Sequence, residues 1–403
     1  MRVGALAGTP LLLTIAAAVY WRRHKLPPRR SELYGQFVDI LLEEDERRPE
    51  VWAAYGDLLA YRRPIIERIA LWCQEELGGG LMPERDFEAQ VARILRGEMG
   101  LRPFEVEAQA RRYVQMVCER GGLLVRRGDA LDFVHPTFRE HLAACALRRR
   151  PRAEVDEIIR TRWDDPVWRE VVLFLLCLLS DDRDQNSEVS ETSEVSRLVQ
   201  HILESGEEGL YFAAACLADQ VTVDEELNDR VVDGLLCTAR LMSWSDFALT
   251  DLGFRHNPIA ALKGLRTNER AVEGLLALAH YQKVDAWGRL RAAIALSELG
   301  RADGLLALAY DEGVDIVVRL QVVGALGELD RADDLLALVR DREVWEWVRL
   351  KAVITLGKLS HASPEVLSGL RALADDPQTP KRVYHASRDS LQRLEGRGEA
   401  LKH

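Results

Sequence analysis

The sequence predicts a mainly α-helical fold, in which a small helical domain with one β-hairpin precedes an α-solenoid of repeated helix pairs. Hydrophobic residues make up 47% of the 403 residues and aromatic residues only 7%, which favours helices with a sizeable core. Apolar residues recur at helical spacing along most of the chain. Two short apolar runs, Leu123–Val125 and Leu131–Phe133, flank the turn-rich segment Arg126–Ala130 and indicate the hairpin.

The elements before and after the hairpin follow from the same spacing. Amphipathic helices are expected at Ile65–Gly78, Arg85–Arg96 and Phe104–Arg120. After the hairpin, a further helix is expected over Thr137–Leu147, with Pro136 at its start because proline suits the first helical position. This places His135 beside a helix N-terminus, a position suited to anions.

The N-terminal segment Val3–Trp21 is apolar over about nineteen residues, a length that would allow it to cross a bilayer. Basic residues flank it, and Ala16–Ala18 is similar to a signal-cleavage region. A membrane-associated chain anchored through residues 3–21 is therefore one alternative. The favoured alternative is a buried helix, and the membrane is not an expected partner.

The segment Leu131–Ala144, which reads LDFVHPTFREHLAA, follows the pattern F-x-H-x-[ST]-F-x-E-[YH]-L-A-A. The matching residues are Phe133, His135, Thr137, Phe138, Glu140, His141, Leu142, Ala143 and Ala144. This pattern resembles the end of the winged-helix region of NACHT-type STAND NTPases. The resemblance implies that His135 contacts the β-phosphate of bound ADP and holds a resting state closed. The residue types alone favour a histidine that only caps a helix.

A second segment, TPLLLTIAAAVYWRRHKLPPRRSELY, resembles the NACHT element [NT]-P-L-L-L-T…[RK]-x-L-P-x-x-R-x-E-L-Y. The matching residues are Thr9, Pro10, Leu11, Leu12, Leu13, Thr14, Leu26, Pro27, Arg30, Glu32, Leu33 and Tyr34. The resemblance implies a buried helix that follows a nucleotide-binding core, with Pro10 near the adenine. A proline that only starts a helix is the alternative. Because the motif begins almost at Met1, we expect the natural reading frame to extend upstream.

The nucleotide-binding core of that family is missing from the sequence. No Gly-x-x-x-x-Gly-Lys-[Ser/Thr] motif occurs in the chain. The end of Trp163–Leu179, with the following Asp181 and Asp182, is similar to a Walker B strand. Without a phosphate-binding loop, however, these carboxylates have no magnesium-nucleotide site to complete. We therefore expect no autonomous NTPase activity and no cofactor held by this chain alone. ATP or ADP is expected only if a P-loop core is supplied in cis or in trans.

A 30-residue repeat dominates the C-terminal half. The residues that recur with this spacing are Arg289, Arg319 and Arg349; Leu290, Leu320 and Leu350; Leu296, Leu326 and Leu356; Leu275, Leu305 and Leu335; and Leu278, Leu308 and Leu338. Each unit predicts two helices joined by a turn near Ala302-Asp303 or Ala332-Asp333, and stacking of the pairs would bury a continuous core. The pattern resembles short HEAT-like repeats of the phycobilisome-lyase type, which implies that each repeated arginine pairs with an acidic residue of the neighbouring unit.

Five segments follow from these patterns. They are a helical element after the absent core (1–45), a winged-helix-like domain (46–150), connecting helices with a flexible acidic loop at Asp181–Ser196 (151–200), the HEAT-like repeats (201–395) and a tail (396–403). Trp287 and Trp347 are two periods apart, so we expect them on one side of the array. They are candidates for contact with a partner, although packing within the repeats is the alternative.

Charge and cysteine usage limit the function classes. Residues 1–150 carry 24 Lys and Arg against 21 Asp and Glu, and the remainder carries 30 against 44. The acidic remainder and the balanced helix Phe104–Arg120 argue against nucleic acid as a partner. The six cysteines form no zinc-binding spacing and lie mostly in apolar helical runs, which indicates reduced thiols, no metal site and a cytoplasmic protein.

Three functions are compatible with the sequence. The first is the regulatory and sensor portion of a NACHT-type signal-transduction NTPase of bacterial defence, whose winged helix is a nucleotide-state lid and whose repeats bind a ligand or a protein. The second is a stand-alone HEAT-repeat scaffold for protein binding. The third is a bilin-lyase-like protein, suggested by the repeat subtype alone. No catalytic residues are predicted, and the chain is not expected to be an enzyme.

Overall fold

The computed structural model describes residues 10–46, 55–56, 58–98, 102–120, 122–181, 190–243, 245–246, 256–359 and 363–400. This part of the chain is mainly helical with one small sheet, which confirms the predicted fold class of an α-rich chain with a β-hairpin. Contacts between residues divide the chain into two units, residues 1–227 and 228–403.

The first unit combines helices with a three-stranded antiparallel sheet. The elements are α1 Pro10–Arg23, α2 Arg30–Glu46, α3 Arg62–Glu76, β1 Met82–Pro83, α4 Glu84–Glu98, α5 Pro103–Arg120, β2 Leu124–Arg127, β3 Ala130–Phe133, α6 Pro136–Leu147, α7 Arg152–Arg162, α8 Arg169–Asp181, α9 Ser190–Leu203 and α10 Glu207–Ala218. The helices predicted before the hairpin are therefore confirmed to within a few residues.

The sheet has the strand order β1-β3-β2. The predicted hairpin forms β2 and β3, with Leu124 opposite Phe133, and Gly128 adopts a positive φ of 67° in its two-residue turn. Glycine at this position accepts the backbone geometry that a tight hairpin requires. The short strand β1 pairs with β3 and was not predicted, because two residues give no alternating pattern.

Helix α6 lies at the centre of the first unit. It packs on α3 along one side and on α8 along another, and it also contacts α2 and β3. Ala143 and Ala144 are fully buried, and their small side chains allow the neighbouring helices to approach closely. The burial of α6 fixes the position of its N-terminal residue, His135.

Helix α1 packs on α2 through a narrow apolar face. Ile15, Ala16 and Val19 are buried, whereas Tyr20 and Trp21 are exposed. Among the residues that the structure describes, none of the helices has both the length and the apolar character needed to span a membrane. Residues 3–9 of the predicted apolar segment, which include Thr9, lie outside the described residues.

Two predictions in the connecting region were wrong. The loop expected over Asp181–Ser196 is helical from Ser190 onward, because Val195 begins a buried apolar stripe that continues through Leu198 to Ile202. The helix expected over Trp163–Leu179 begins only at Arg169. Residues 182–189 lie outside the described residues.

The second unit is built from helices in two layers. The helices described from its start onward are α11 Glu225–Leu241, α12 Pro258–Gly264, α13 Glu269–His280, α14 Ala286–Glu298, α15 Ala302–Tyr310, α16 Ile316–Glu328, α17 Ala332–Arg340, α18 Glu346–Leu356, α19 Pro364–Asp375 and α20 Lys381–Ala400. Helices α14, α16, α18 and α20 contact one another in series, and α13, α15, α17 and α19 each pack on the helix that follows.

The 30-residue spacing corresponds to this packing. The leucines that recur in α13, α15 and α17, such as Leu305, are buried, as are Leu296, Leu326 and Leu356 in the other layer. The turns lie at residues 299–301 and 329–331, directly before the positions near which they were predicted, because Ala302 and Ala332 already start α15 and α17. Helix α20 also continues to Ala400, into the segment assigned to the tail.

Two of the three repeated arginines bind backbone carbonyls, whereas Nε of Arg289 is buried and has no hydrogen-bond partner among the described residues. Arg319 donates from Nε to the Ala309 carbonyl at 3.0 Å, and Arg349 donates to the Val339 carbonyl at 3.0 Å. Both carbonyls lie in the last turn of a helix, where no intrahelical amide is available and a cation is favoured. For Arg319 and Arg349, the expected pairing with an acidic residue is thus replaced by a buried cap on the preceding helix.

This geometry predicts the effect of Arg349→Met. The variant keeps the aliphatic stem but leaves the Val339 carbonyl without its donor, so the free energy of unfolding should fall by about 1–3 kcal/mol. Urea denaturation of the full chain measures this change. Arg342→Met is the control, because Arg342 forms an exposed ion pair with Asp376 and should change stability by less than about 1 kcal/mol. Equal effects of the two variants would contradict the prediction.

Candidate functional site

The two residues predicted to contact a nucleotide belong to different helices of the first unit. His135 is the N-cap of α6 and is half-buried, whereas Pro10 is the exposed first residue of α1. Helix α2 contacts both α1 and α6. The structure therefore connects the two candidates through α2.

His135 caps α6 with its own side chain. Its backbone is extended, at φ −149° and ψ 141°, and its Nδ1 accepts the Thr137 amide at 3.2 Å. Because Nδ1 is an acceptor, the neutral ring carries its proton on Nε2. No described residue forms a hydrogen bond with Nε2, so this nitrogen is the group that can donate to a ligand.

Apart from Nε2 of His135, the N-terminus of α6 has few hydrogen-bond donors available to an anion. The Thr137 amide is taken by Nδ1 of His135, the Phe138 amide donates to the His135 carbonyl at 3.1 Å, and Pro136 has no amide proton. A free helix N-terminus would present several amides to a phosphate. Here the donor that remains is the imidazole Nε2 itself.

Tyr34 connects α2 to this cap. Its ring packs against Phe138, the residue after Thr137, and Oγ1 of Thr137 lies 2.9 Å from Nδ1 of His135. Burial raises the pKa of Tyr34, so the phenol stays protonated at neutral pH.

An aromatic cluster holds Tyr34 in place. The ring of Tyr34 packs edge-on against Phe138 and Phe174 at centroid distances of 5.5 Å, and Phe174 also packs edge-on against His141 at 5.3 Å. Such arrangements align the positive ring edge with a neighbouring ring face. Helices α2, α6 and α8 therefore meet around one aromatic core directly behind His135.

Arg30 closes this cluster on its polar side. Its guanidinium binds Glu170 at the start of α8 and lies 3.2 Å from Asp219, which follows α10, and it lies 4.6 Å from the Phe174 ring. Burial alone would lower the pKa of Arg30, but the two carboxylates outweigh it and the pKa is raised. Desolvation raises the pKa of Asp219 despite the nearby cation.

His141 and Cys145 form a buried pair that the sequence analysis missed. They are four residues apart on α6, which puts them on one helix face, and Cys145 Sγ lies 3.6 Å from His141 Nε2. Burial, with Arg63 and Arg30 nearby, lowers the pKa of His141 to about 3. Burial also raises the pKa of Cys145 to about 11. Both groups are therefore neutral at pH 7, unlike the thiolate and imidazolium of a catalytic pair.

No protein-family model matches this chain. A search of curated proteins found no match either. The predicted membership of the NACHT family therefore stays a prediction.

The aromatic partner candidates lie at the surface of the second unit. Trp287 and Trp347 are the second residues of α14 and α18, and both indoles are partly exposed. Their equivalent helix positions agree with the expectation that they lie on one side of the repeats. They belong to the second unit, and the histidine site belongs to the first.

A cavity of about 510 Å³ lies elsewhere in the first unit. Its lining residues are Gln74, Glu75, Gly78, Arg150, Ile158, Arg162, Asp165, Val167 and Trp168. Its charged groups are already paired, Arg150 with Glu75 and Arg162 with Asp165. No cluster of three metal-ligating side chains was found among the residues that the structure describes.

The contacts of Arg30 predict a loss of stability in Arg30→Met. Without the cation, Glu170 and Asp219 would be left partly buried and unpaired, so the free energy of unfolding at pH 7 should fall by about 2 kcal/mol. The control is Arg23→Met, which removes an exposed ion pair with Glu43 and should have an effect below about 1 kcal/mol. Urea denaturation distinguishes the two, and equal losses would disprove the proposed role of Arg30.

The lowered pKa of His141 predicts a pH dependence of stability. Between pH 6.5 and 3 the unfolded chain binds a proton at His141 and the folded chain does not, so folding stability falls as the pH falls. The expected slope is about 1.4 kcal/mol per pH unit. His141→Leu should remove this contribution from urea denaturation measured across that range. An unchanged slope in the variant would show that His141 is protonated in the folded chain.

Proposed function

We propose that this chain is the regulatory and sensor portion of a NACHT-type signal-transduction NTPase. In this proposal the first unit is a lid that responds to the nucleotide, and the repeats of the second unit bind a ligand or a protein. The observation that carries the proposal is the state of His135, whose Nδ1 is fixed by the helix cap while Nε2 keeps its proton for a ligand. The sequence motif around His135 is the reason for proposing the NACHT family.

His135 would act as a single hydrogen-bond donor to a phosphate oxygen. A hydrogen bond to a charged group contributes about 1.5–3 kcal/mol, which corresponds to a Kd in the millimolar range or weaker. Such a contact reports which nucleotide is present but does not hold it. A P-loop core, in cis or in trans, would supply the affinity, and this chain would not hydrolyse ATP by itself.

The residues packed behind His135 would respond to such a contact with phosphate. Thr137 binds Nδ1 of His135. The neighbouring Phe138 packs against the ring of Tyr34 on α2, which also packs against Phe174. A shift of the imidazole would alter the cap of α6 and the Thr137 hydrogen bonds together. Pro10 remains the second proposed contact, near the adenine.

A scaffold that binds proteins without nucleotide is the second candidate. The observation that favours it is the exposure of Trp287 and Trp347 on the second unit. Large indoles at a protein surface frequently anchor a partner. Partner binding that is independent of nucleotide would support this candidate.

The sensor proposal predicts that His135 distinguishes ADP from AMP. In a chain labelled at its histidine rings, ADP added into the millimolar range should shift the NMR signals of His135, and AMP should not, because it lacks a β-phosphate. His135→Gln assigns the signal, and His24→Gln, which changes an exposed histidine after α1, should leave the titration unchanged. An equal response to AMP, or no response to ADP, would refute the proposed contact.

A further inference from the structure

An exposed apolar row crosses three consecutive helices of the second unit. Trp287, Val317 and Trp347 occupy the same position in α14, α16 and α18, and they are 36%, 54% and 43% exposed. Because these helices contact one another in series, the three side chains form one row, which we call the tryptophan row. The exposed part of each indole gains no packing within the described chain.

Cationic side chains accompany the tryptophan row. One helical turn further along, the equivalent positions hold Arg291 and Lys351. The Arg291 guanidinium lies 5.8 Å from the Trp287 ring, and Arg382 of α20 lies 4.4 Å from the Trp347 ring. The cations and the indoles therefore form one mixed surface, with no acidic residue at the row positions or at the equivalent positions one turn along (291, 321 and 351).

The third helix of this surface lacks the cap that its neighbours have. Asp285 accepts the Trp287 amide at 2.9 Å, and Asp315 accepts the Val317 amide at 2.8 Å. Trp345 occupies the equivalent N-cap position with nearly the same backbone angles, but its side chain forms no cap. Its indole is instead 48% exposed, although aspartate is among the best capping residues.

We propose that the tryptophan row, with Arg291, Lys351 and Arg382, is a docking surface for a peptide segment of another protein that carries acidic and apolar side chains. The indoles would bind the apolar side chains, and the three cations would select carboxylates. The unfavourable cap at Trp345 is explained if its indole extends this surface. The inference does not depend on the nucleotide proposal.

Single-stranded nucleic acid also combines stacking with negative charge, but the second unit suits it less well. Residues 228–403 carry 24 Lys and Arg and 25 Asp and Glu. A protein that follows a nucleic-acid backbone needs a continuous basic groove. Three cations among exposed apolar side chains fit a short acidic peptide better.

The surface dimensions define the probe. Helices packed about 8–10 Å apart put the first and third positions of the row about 20 Å apart, which an extended peptide of about ten residues covers. The probe is a fluorescein-labelled peptide of alternating Glu and Leu, mixed with the full chain and followed by anisotropy. A Lys-Leu peptide of equal length and single-stranded oligo-dT are the comparisons.

The Glu-Leu peptide should bind, whereas the Lys-Leu peptide and the oligo-dT should not. Trp347→Ala and the charge reversal Arg382→Glu should each weaken binding by about tenfold or more. Trp21→Ala changes an exposed indole of the first unit and should leave binding unchanged. Preference for oligo-dT, preference for the Lys-Leu peptide, or binding that ignores both Trp347→Ala and Arg382→Glu would overturn the proposal.

Trp345→Asp tests the missing cap directly. Introducing the aspartate that the equivalent positions carry should raise Tm by about 2–4 °C and weaken peptide binding. Trp345→Ala separates the two effects, because it removes the ring without supplying a cap, so binding should weaken with no gain in Tm. If Trp345→Ala binds the peptide like the natural chain and Trp345→Asp is no more stable, Trp345 belongs to no docking surface.

Discussion

The burial of helix α6 is the constraint on which the first unit depends. Its side chains fill the space between α3 and α8, and Arg139 joins it to the end of α3 by donating to Gln74 and to the Gly79 carbonyl. Gly79 has a positive φ of 78°, and a Cβ at this position would lie 2.7 Å from that guanidinium. Residues at the start of α6, including His135, are thereby fixed relative to three other helices.

The His135 cap of α6 has two effects: it satisfies a backbone amide, and it fixes the position of the imidazole proton. The first amides of a helix have no partner within the helix, and His135 satisfies the Thr137 amide with Nδ1. The same hydrogen bond determines which nitrogen of the ring keeps the proton. Helix capping and ligand sensing are therefore compatible functions of one imidazole.

The sequence predicted most helices and the hairpin, because apolar spacing and turn residues are local patterns. It also predicted His135 beside a helix N-terminus, since Pro136 marks that boundary. It did not predict the role of Arg30, whose carboxylate partners Glu170 and Asp219 are 140 and 189 residues away. Contacts between such distant residues arise from tertiary packing, and a single sequence contains no pattern that reports them. The pair of His141 and Cys145 was visible in the sequence as an i, i+4 spacing, but its neutrality follows from burial.

The arginine that caps the preceding helix also bears on how the number of repeats in the second unit can change during evolution. Arg319 and Arg349 each bind a carbonyl ten residues earlier in the chain, so the donor and its acceptor fall within one 30-residue period. A duplicated stretch of that length would contain its own anchor. Unequal recombination could then add or remove whole repeats during evolution without a compensating substitution elsewhere in the gene.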